Sequence, residues 1–264
     1  MLKTKRQKEI TGILETKGSI EIRELCRIFN VAEMTIRRDL DELIQKGAKG
    51  IIRTHGGAML SEENVLLELP FNIRDMQNQT EKEAVARTAL GMIKDGQRII
   101  LDSGTTMFSL AKQLDNSRRL IVVTNAINIA IELNMRSNIS VIPVGGILRK
   151  NTFSCVGGFA ETMIRQFRAD ISFIGVSGIS EAGDLSNDST VETGVKQAMI
   201  AAGKQKVVLA DSSKIGNEKF SIFANLKDVD LLITDSNAPK KIIDRFHKLG
   251  VKTKTADTNS PSFT

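Results

Sequence analysis

The sequence predicts an α/β chain in two parts: an N-terminal winged helix-turn-helix, then a doubly wound, mostly parallel α/β domain. Three observations carry the prediction. Within the first 60 residues, two short amphipathic segments are split by a tight break and followed by a glycine-bracketed β-like stretch. From Thr80 onward, short apolar runs alternate with helix-length segments, which argues for a parallel sheet covered on both faces. The 264 residues also exceed one typical domain.

Taken in order, Lys3–Thr16 reads as a first helix with Ile10, Ile13 and Leu14 apolar. Glu21–Phe29 places Ile22, Leu25, Cys26 and Phe29 on one side, the period of a short buried helix. Asn30-Val31-Ala32 breaks it. A second helix, Glu33–Lys46, carries Ile36, Leu40, Leu43 and Ile44 as a core-facing stripe. At about 100° per residue, Arg38 falls roughly opposite Ile36. Met34 and Thr35 flank it, and Arg37 sits on the shoulder. Small polar and Arg side chains near the start of the second helix match the docking geometry of major-groove readers. Gly47, Gly50 and Gly56-Gly57 bracket Ile51–Thr54, a wing that would bring Arg53 and His55 to the same surface.

An arginine pair on an amphipathic helix is commonly just a solvated face, but the charge distribution favours nucleic acid. Residues 1–60 hold 12 Lys+Arg against 8 Asp+Glu, a net of +4 out of +6 for the chain. Positive charge is concentrated where counterion release from DNA requires it. The candidate DNA-binding set is Met34, Thr35, Arg37, Arg38, Arg53 and His55, and the expected partner is double-stranded operator DNA.

The words VAEMTIRRDLDELIQKG and RTHGGA, within Lys5–Ala58, resemble the N-terminal signature of the DeoR family of bacterial transcription regulators. The family usually has Ser where this chain has Ala32. An Ala at that cap costs on the order of 1 kcal/mol, with Glu33 placed to compensate through its charge at the positive helix end.

Composition narrows the classes. No apolar run is long enough to span a bilayer, and Met1–Arg6 is not followed by a signal-peptide core. Cys26 and Cys155 are the only cysteines and His55 and His247 the only histidines, at no recognised zinc spacing. Cys26 reads as core, and Cys155 has no resolving partner for redox sensing. With 11 Phe and no Trp or Tyr, stacking platforms for single strands are not expected. The expectation is a reduced, cytoplasmic chain without metal or cofactor and without a membrane partner.

Residues 1–58 are expected to form the winged helix-turn-helix. Residues 59–75 read as an acidic linker in which Pro70 stops any helix, and 76–256 as the α/β domain. The polar tail, 257–264, is expected to fray. Expected elements of the second part run as helix Glu81–Ile93, strand Gln97–Leu101, helix Met107–Leu114, strand Leu120–Val123, helix Ala126–Leu133 and strand Ser140–Val144. Strand Ile171–Val176, helix Glu192–Ala201, strands Lys206–Ala210 and Asp230–Thr234, and helix Pro239–Leu249 follow.

In open α/β sheets, ligands sit at the carboxyl ends of strands. Four loops there carry suitable chemistry. Asp102-Ser103-Gly104-Thr105-Thr106 offers hydroxyls, a close backbone approach and a helix N-terminus for an anion. Thr124-Asn125 and Gly145-Gly146 close the next two strands, and Asp211-Ser212-Ser213-Lys214 adds a cation. Such residues are frequent in turns for conformational reasons alone. Four at successive strand ends favour a small phosphorylated ligand.

Phe71–Ala256 is similar to the DeoR sensor domain, which in turn resembles ribose-5-phosphate isomerase. The enzyme's phosphate loop Thr-Gly-Ser-Thr falls on Ser103-Gly104-Thr105-Thr106, and its Asp-x-Ser-Lys segment on Asp211–Lys214. Its acid motif Asp-Gly-Ala-Asp falls on Ile174-Gly175-Val176-Ser177, and its catalytic Glu near Lys196. Isomerisation needs a carboxylate to move a proton between adjacent carbons, and Ile174 cannot do so. The resemblance thus implies an isomerase-like binding site without its catalytic groups. Asp184, Asp188 and Glu192 read as solvated loop charges or sugar-hydroxyl acceptors, and Arg149 and Lys150 as second candidates for an anion.

The candidate effector set is Asp102, Ser103, Gly104, Thr105, Thr106, Thr124, Asn125, Gly145, Gly146, Lys196 and Lys214. The resemblance implies a repressor of a sugar-use operon, relieved by a phosphorylated sugar effector, and a homodimer or homotetramer. Two-fold pairing also suits palindromic operators. The rival is a sugar-phosphate isomerase with an accessory DNA-binding domain, which needs a carboxylate at 174 or 177. A third reading, an α/β domain that only assembles subunits, would bind no effector.

Overall fold

The computed structural model describes residues 2–17, 19–45, 51–53, 56–60 and 70–258, in two compact units, Met1–Leu67 and Glu68–Thr264. In the first, α1 (Lys3–Lys17) leads to β1 (Ser19–Glu21), α2 (Ile22–Phe29) and α3 (Glu33–Gln45), then to β2 (Ile51–Arg53) and β3 (Gly57–Leu60). The three strands form an antiparallel sheet in the order β1-β3-β2. Sequence periodicity finds the helices because each has one buried stripe. Ile10 and Leu14 of α1, Leu25 and Phe29 of α2, and Ile36, Leu40 and Leu43 of α3 share one core with Ile20, Ile51 and Ala58. Each Ile, Leu or Phe side chain among them contributes about 1.5–3 kcal/mol on burial. Asn30 takes a left-handed conformation (φ 50°) to end α2, a conformation its short polar side chain tolerates. Gly57 has a steric reason: a Cβ there would lie 2.2 Å from the Ile20 carbonyl oxygen across the β1–β3 pairing.

A buried ion pair ties α1 to α3. Arg6 donates to Asp39, the Asp of the TIRRDL word, with side chains 9% and 2% exposed. The hydrogen bond from Arg6 to Asp39 raises the guanidinium above its ordinary value. Gln7 donates to Glu42 at 3.0 Å, and Lys3 pairs with the same residue. Arg6 and Lys3, two of the twelve cations of residues 1–60, are thus paired with carboxylates of α3.

In the second unit, α4 (Phe71–Met76) and α5 (Gln79–Leu90) precede β4 (Arg98–Leu101), α6 (Thr105–Gln113), β5 (Leu120–Thr124), α7 (Ile127–Asn134) and β6 (Ile139–Pro143). A hairpin, β7 (Ile147–Leu148) and β8 (Cys155–Val156), leads to α8 (Gly158–Arg165) and β9 (Ala169–Gly175). Next come β10 (Gly178–Ile179), β11 (Asp184–Asn187), α9 (Thr193–Ala202), β12 (Gly203–Leu209) and β13 (Ser221–Asn225). The last elements are β14 (Leu231–Asp235), α10 (Lys240–Lys248) and β15 (Thr253–Ala256).

Seven strands pair in parallel in the order β15-β14-β12-β9-β4-β5-β6. Residues alternate between the two faces, as a strand's period of two demands. Ile99, Leu101, Val122, Ile171, Phe173, Val207 and Leu209 pack with α5, α6 and α7. Ile100, Val123, Ile174 and Val208 pack with Ala160 of α8, Val195 and Met199 of α9, and Phe246 of α10. This is the doubly wound sheet the sequence predicts. A small antiparallel sheet, β10-β11-β13, lies outside it.

Two boundaries of the expected linker differ. Residues 71–76 are helical, and β3 continues beyond Ala58 to Leu60. Pro70 does not stop a helix; it starts one, at φ −52°. Its fixed φ suits a helix entry, where its missing N–H costs nothing. Phe71 then stacks edge-on against Phe108 and Phe153, with centroids 5.4 and 5.6 Å away. Residues 61–69 and 259–264, parts of the expected linker and tail, lie outside the described residues.

Candidate nucleic-acid interface and ligand site

On α3 the core stripe leaves one face outward. Met34 is 70% exposed, Arg38 is exposed, and Thr35 is half-buried. Arg37 is also half-buried, and its guanidinium is held by Glu33 one turn earlier. Glu33 thus gives its carboxylate to Arg37, while the Thr35 and Ile36 amides donate to the Ala32 carbonyl at 2.9 and 3.3 Å. Beside this face lies a cleft of about 760 Å³ lined by Ser19, Arg23, Glu33, Arg37 and Gly56 among others. Arg53 lies on β2. His55 lies outside the described residues.

In the second unit the chain runs β4, β5, β6 to one side, then returns to place β9 on the other flank of β4. The strand order therefore reverses between β4 and β9, the switch point where ligands of such sheets bind. The carboxyl ends line up along one edge, in the order Asp211–Lys214 after β12, Gly175 at the end of β9, and Asp102–Thr106 after β4. Thr124-Asn125 at the end of β5 and Gly145-Gly146 after β6 complete the row. At about 4.8 Å per strand, the Lys214 loop and the Ser103 loop lie roughly 10 Å apart.

At the switch point itself sits an ion pair. Asp102, fully buried, accepts from the Lys196 ammonium and from the Gly175 amide at 2.9 Å, and its other oxygen accepts from the Ser103 amide at 2.7 Å. Lys196 also donates to the Gly175 carbonyl at 2.8 Å. Burial pushes the Asp102 carboxyl above its ordinary value, and Lys196 opposes that. Gly175 keeps this junction close: a Cβ would sit a tight 3.1 Å from the Ser103 carbonyl oxygen. Asp102 and Lys196, both in the expected effector set, pair with each other and, through Gly175, tie the end of β4 to the end of β9.

The next residues are differently placed. Gly104, at φ 120°, opens α6 with no side-chain cap, which leaves the first amides of Thr105 and Thr106 directed out of the helix. Thr124 accepts from the Ala126 amide at 3.1 Å. Asn125 donates to the Cys155 carbonyl at 3.1 Å, and its own carbonyl accepts from the Cys155 amide at 2.7 Å. Gly145 is exposed. Gly146, at φ 151°, has backbone where a Cβ would go, with the Val156 oxygen at 2.7 Å; its smallness serves the hairpin. In the last loop Asp211 turns back to accept from the Ser213 amide at 3.0 Å, leaving Lys214 half-buried.

The carboxylates that isomerase chemistry would call on are engaged. Ile174 is in the core. Asp184 accepts from Ser180 and Asn225, Asp188 pairs with Lys219 at 3.1 Å, and Glu192 pairs with Arg149. Sequence reasoning missed Asn78 and Lys82, near the start of α5. Asn78 donates to Asp211 and Ser213, both at 3.2 Å. Lys82 is 5% exposed and donates to the carbonyls of Arg74 and Gln77. Burial lowers it to about 8, with Asp211 opposing. No described helix is long and apolar enough to cross a membrane.

Comparison with known proteins places this arrangement. Residues 6–64 match the DeoR-like helix-turn-helix domain and residues 77–236 the DeoR C-terminal sensor domain. The HTH-type transcriptional regulator YulB of Bacillus subtilis is 40% identical over 89% of this chain and 90% of its own length. GolR of Listeria innocua is 36% identical over 97% of this chain and 100% of its own. The glycerol-3-phosphate regulon repressor of Escherichia coli is 32% identical over 92% and 95%. Among solved structures, ribose 5-phosphate isomerase A of Methanocaldococcus jannaschii is 20% identical over 53% of this chain and 55% of that one, with a TM-score of 0.40. On both domain matches and these full-length relatives, the chain belongs to the DeoR family of transcriptional regulators.

Proposed function

We propose that the chain is a transcriptional repressor of a sugar-metabolism operon, whose operator affinity is lowered by a phosphorylated sugar held along the carboxyl edge of the sheet. The observation that carries the reading is the lining-up of hydroxyl-rich and cationic loops on that one edge, beside the uncapped start of α6. The phosphate would meet the Ser103–Thr106 turn and the Lys214 ammonium, whose side chain can span part of the gap between the loops. Asn125 Oδ1, both polar atoms of Asn128 and Asp211 Oδ2 are buried and make no hydrogen bond among the described residues. Such groups are costly unpaired, and sugar hydroxyls would suit them. The repressor named for glycerol 3-phosphate among the relatives is consistent with a small phosphorylated effector.

Operator contact falls to Arg38, Met34, Thr35 and Arg37 on α3, supported by Arg53 and His55 of the wing. A homodimer or homotetramer supplies the second half-site. The chain is proposed to be no enzyme: Lys196 and Asp102 neutralise each other where an isomerase would move a proton. A thermal-shift screen against sugar phosphates tests the reading, because a ligand at 100 times its dissociation constant stabilises by about 2.7 kcal/mol. No shift from any member would leave the sheet edge without an effector. Conversion of ribose 5-phosphate to its ketose isomer would restore the enzyme reading.

A further inference from the structure

We propose that Asn78 and Lys82 are the positioning residues that connect occupancy of the Asp211–Lys214 loop to α4, the first element after the segment leading from the DNA-binding unit. The proposal rests on the sugar-phosphate reading of the sheet edge. Two sets of contacts meet at the α4–α5 junction. On one side, the Asn78 amide donates to Asp211 Oδ1 and Ser213 Oγ, both at 3.2 Å and both in the loop that carries Lys214. On the other, the buried Lys82 ammonium donates to the Arg74 and Gln77 carbonyls and so closes the end of α4. Asn237, beyond β14, adds a third link by donating to Glu81 on the first turn of α5 at 3.2 Å.

The junction is built for this. Asn78 holds a left-handed conformation (φ 50°, ψ 41°), which turns the chain sharply between α4 and α5 and presents its side chain to the loop. Asp211 is 1% exposed, and its second oxygen makes no hydrogen bond among the described residues. Its carboxylate and the Lys214 ammonium both act electrostatically on Lys82. An anion drawn to Lys214 changes the charge balance at Lys82 and competes with Asp211 for the proton of the Ser213 hydroxyl, the same oxygen to which Asn78 donates. Any resettling of the loop must therefore pass to Asn78, and through the turn to α4, because the same few atoms serve both. An effector acts on DNA binding only through such a difference between two states.

Asn78→Gly breaks the link, since glycine adopts the same φ without strain and the side-chain amide is gone. The measurement is the ratio of operator dissociation constants with and without saturating ribose 5-phosphate, glucose 6-phosphate, fructose 6-phosphate or glycerol 3-phosphate. It is made on the full chain, alongside direct titration of the same sugar phosphate without DNA. Each hydrogen bond is worth about two- to twelvefold in an equilibrium. The variant is therefore expected to lose about tenfold of the ratio, while operator affinity without effector and direct sugar-phosphate binding stay within about threefold. Lys82→Met serves as the second variant, with the same expected loss of ratio at whatever stability it retains. An unchanged ratio in Asn78→Gly overturns the proposal. So does loss of direct sugar-phosphate binding, which would make Asn78 part of the binding site. If wild type binds none of the four, the sheet-edge reading fails and the proposal with it; if wild type binds one and the variant keeps the wild-type ratio, the proposal alone fails.

Discussion

Replacing Lys196 by Met is expected to destabilise the second unit by about 3–5 kcal/mol at neutral pH, the cost of stranding one partner of a buried pair. The two side chains are 4% and 0% exposed, so solvent cannot take over the lost contact. Asp102 would keep its bonds from the Ser103 and Gly175 amides, at 2.7 and 2.9 Å, which soften the loss but do not cancel a buried charge. The carboxyl can escape by taking a proton, and this gives the loss a pH signature. Burial already holds the Asp102 carboxyl above its ordinary value, and removing Lys196 takes away the largest opposing influence. A folded-state carboxyl raised above its unfolded value of about 3.9 binds more protons folded than unfolded, so stability falls as pH rises through that window. The deficit of Lys196→Met against wild type should be smallest near pH 4 and widen toward neutrality. Denaturant unfolding followed by far-UV circular dichroism is the assay, since the chain has no Trp or Tyr. Lys196→Met with Asp102→Asn should recover much of the loss. A single variant within about 1 kcal/mol of wild type, flat from pH 4 to 8, would refute this tie between β4 and β9.

Other substitutions separate the remaining roles. Arg38→Ala should weaken operator binding by about 1–3 kcal/mol at one base position if the guanidinium reads a guanine. Equal losses on operator and random DNA, measured by fluorescence anisotropy, would make it a phosphate contact. Asp39→Ala should lower the unfolding free energy of the N-terminal unit by about 1.5–3 kcal/mol, the worth of the charge-assisted bond it removes from Arg6, and a thermal melt unchanged from wild type would contradict the α1–α3 tie. Lys214→Ala and Thr105→Val should leave effector-free operator binding near wild type. Loss of a charge-assisted contact from Lys214 should weaken sugar-phosphate binding by roughly 1.5–3 kcal/mol. A wild-type titration curve in these two variants would move the anion site elsewhere.

The legible parts of the chain are those whose signal is local. Ile36, Leu40 and Leu43 announce α3 by spacing alone, and the apolar runs at Ile99–Leu101 and Val207–Leu209 announce buried parallel strands. The α8 segment is less visible, because Gly157-Gly158 opens it and Phe159 is 85% exposed. The β7–β8 hairpin and the β10-β11-β13 sheet are hidden for another reason: two-residue strands and a polar one such as Asp184–Asn187 have no periodicity. Among site residues, the loops at strand ends can be located because turns need Gly, Ser, Asn and Asp. Their partners cannot. Nothing near Asp102 in sequence points to Lys196, 94 positions on, and Arg6 looks like any other surface cation until Asp39 is brought beneath it. At the double glycine 145–146 the sequence does not separate turn from packing, and the structure gives Gly146 a packing reason in the hairpin.

The account turns on whether the two units communicate through a phosphorylated sugar. The most direct measurement is operator affinity of the full-length protein by fluorescence anisotropy, with and without the sugar phosphate that gives the largest thermal shift. A ligand coupling of the usual 1–3 kcal/mol predicts about a 5- to 150-fold rise in the operator dissociation constant at saturation. The Lys214→Ala variant should need roughly 13- to 160-fold more of the sugar phosphate for the same rise. A sugar phosphate that binds tightly yet leaves operator affinity unchanged would contradict the account.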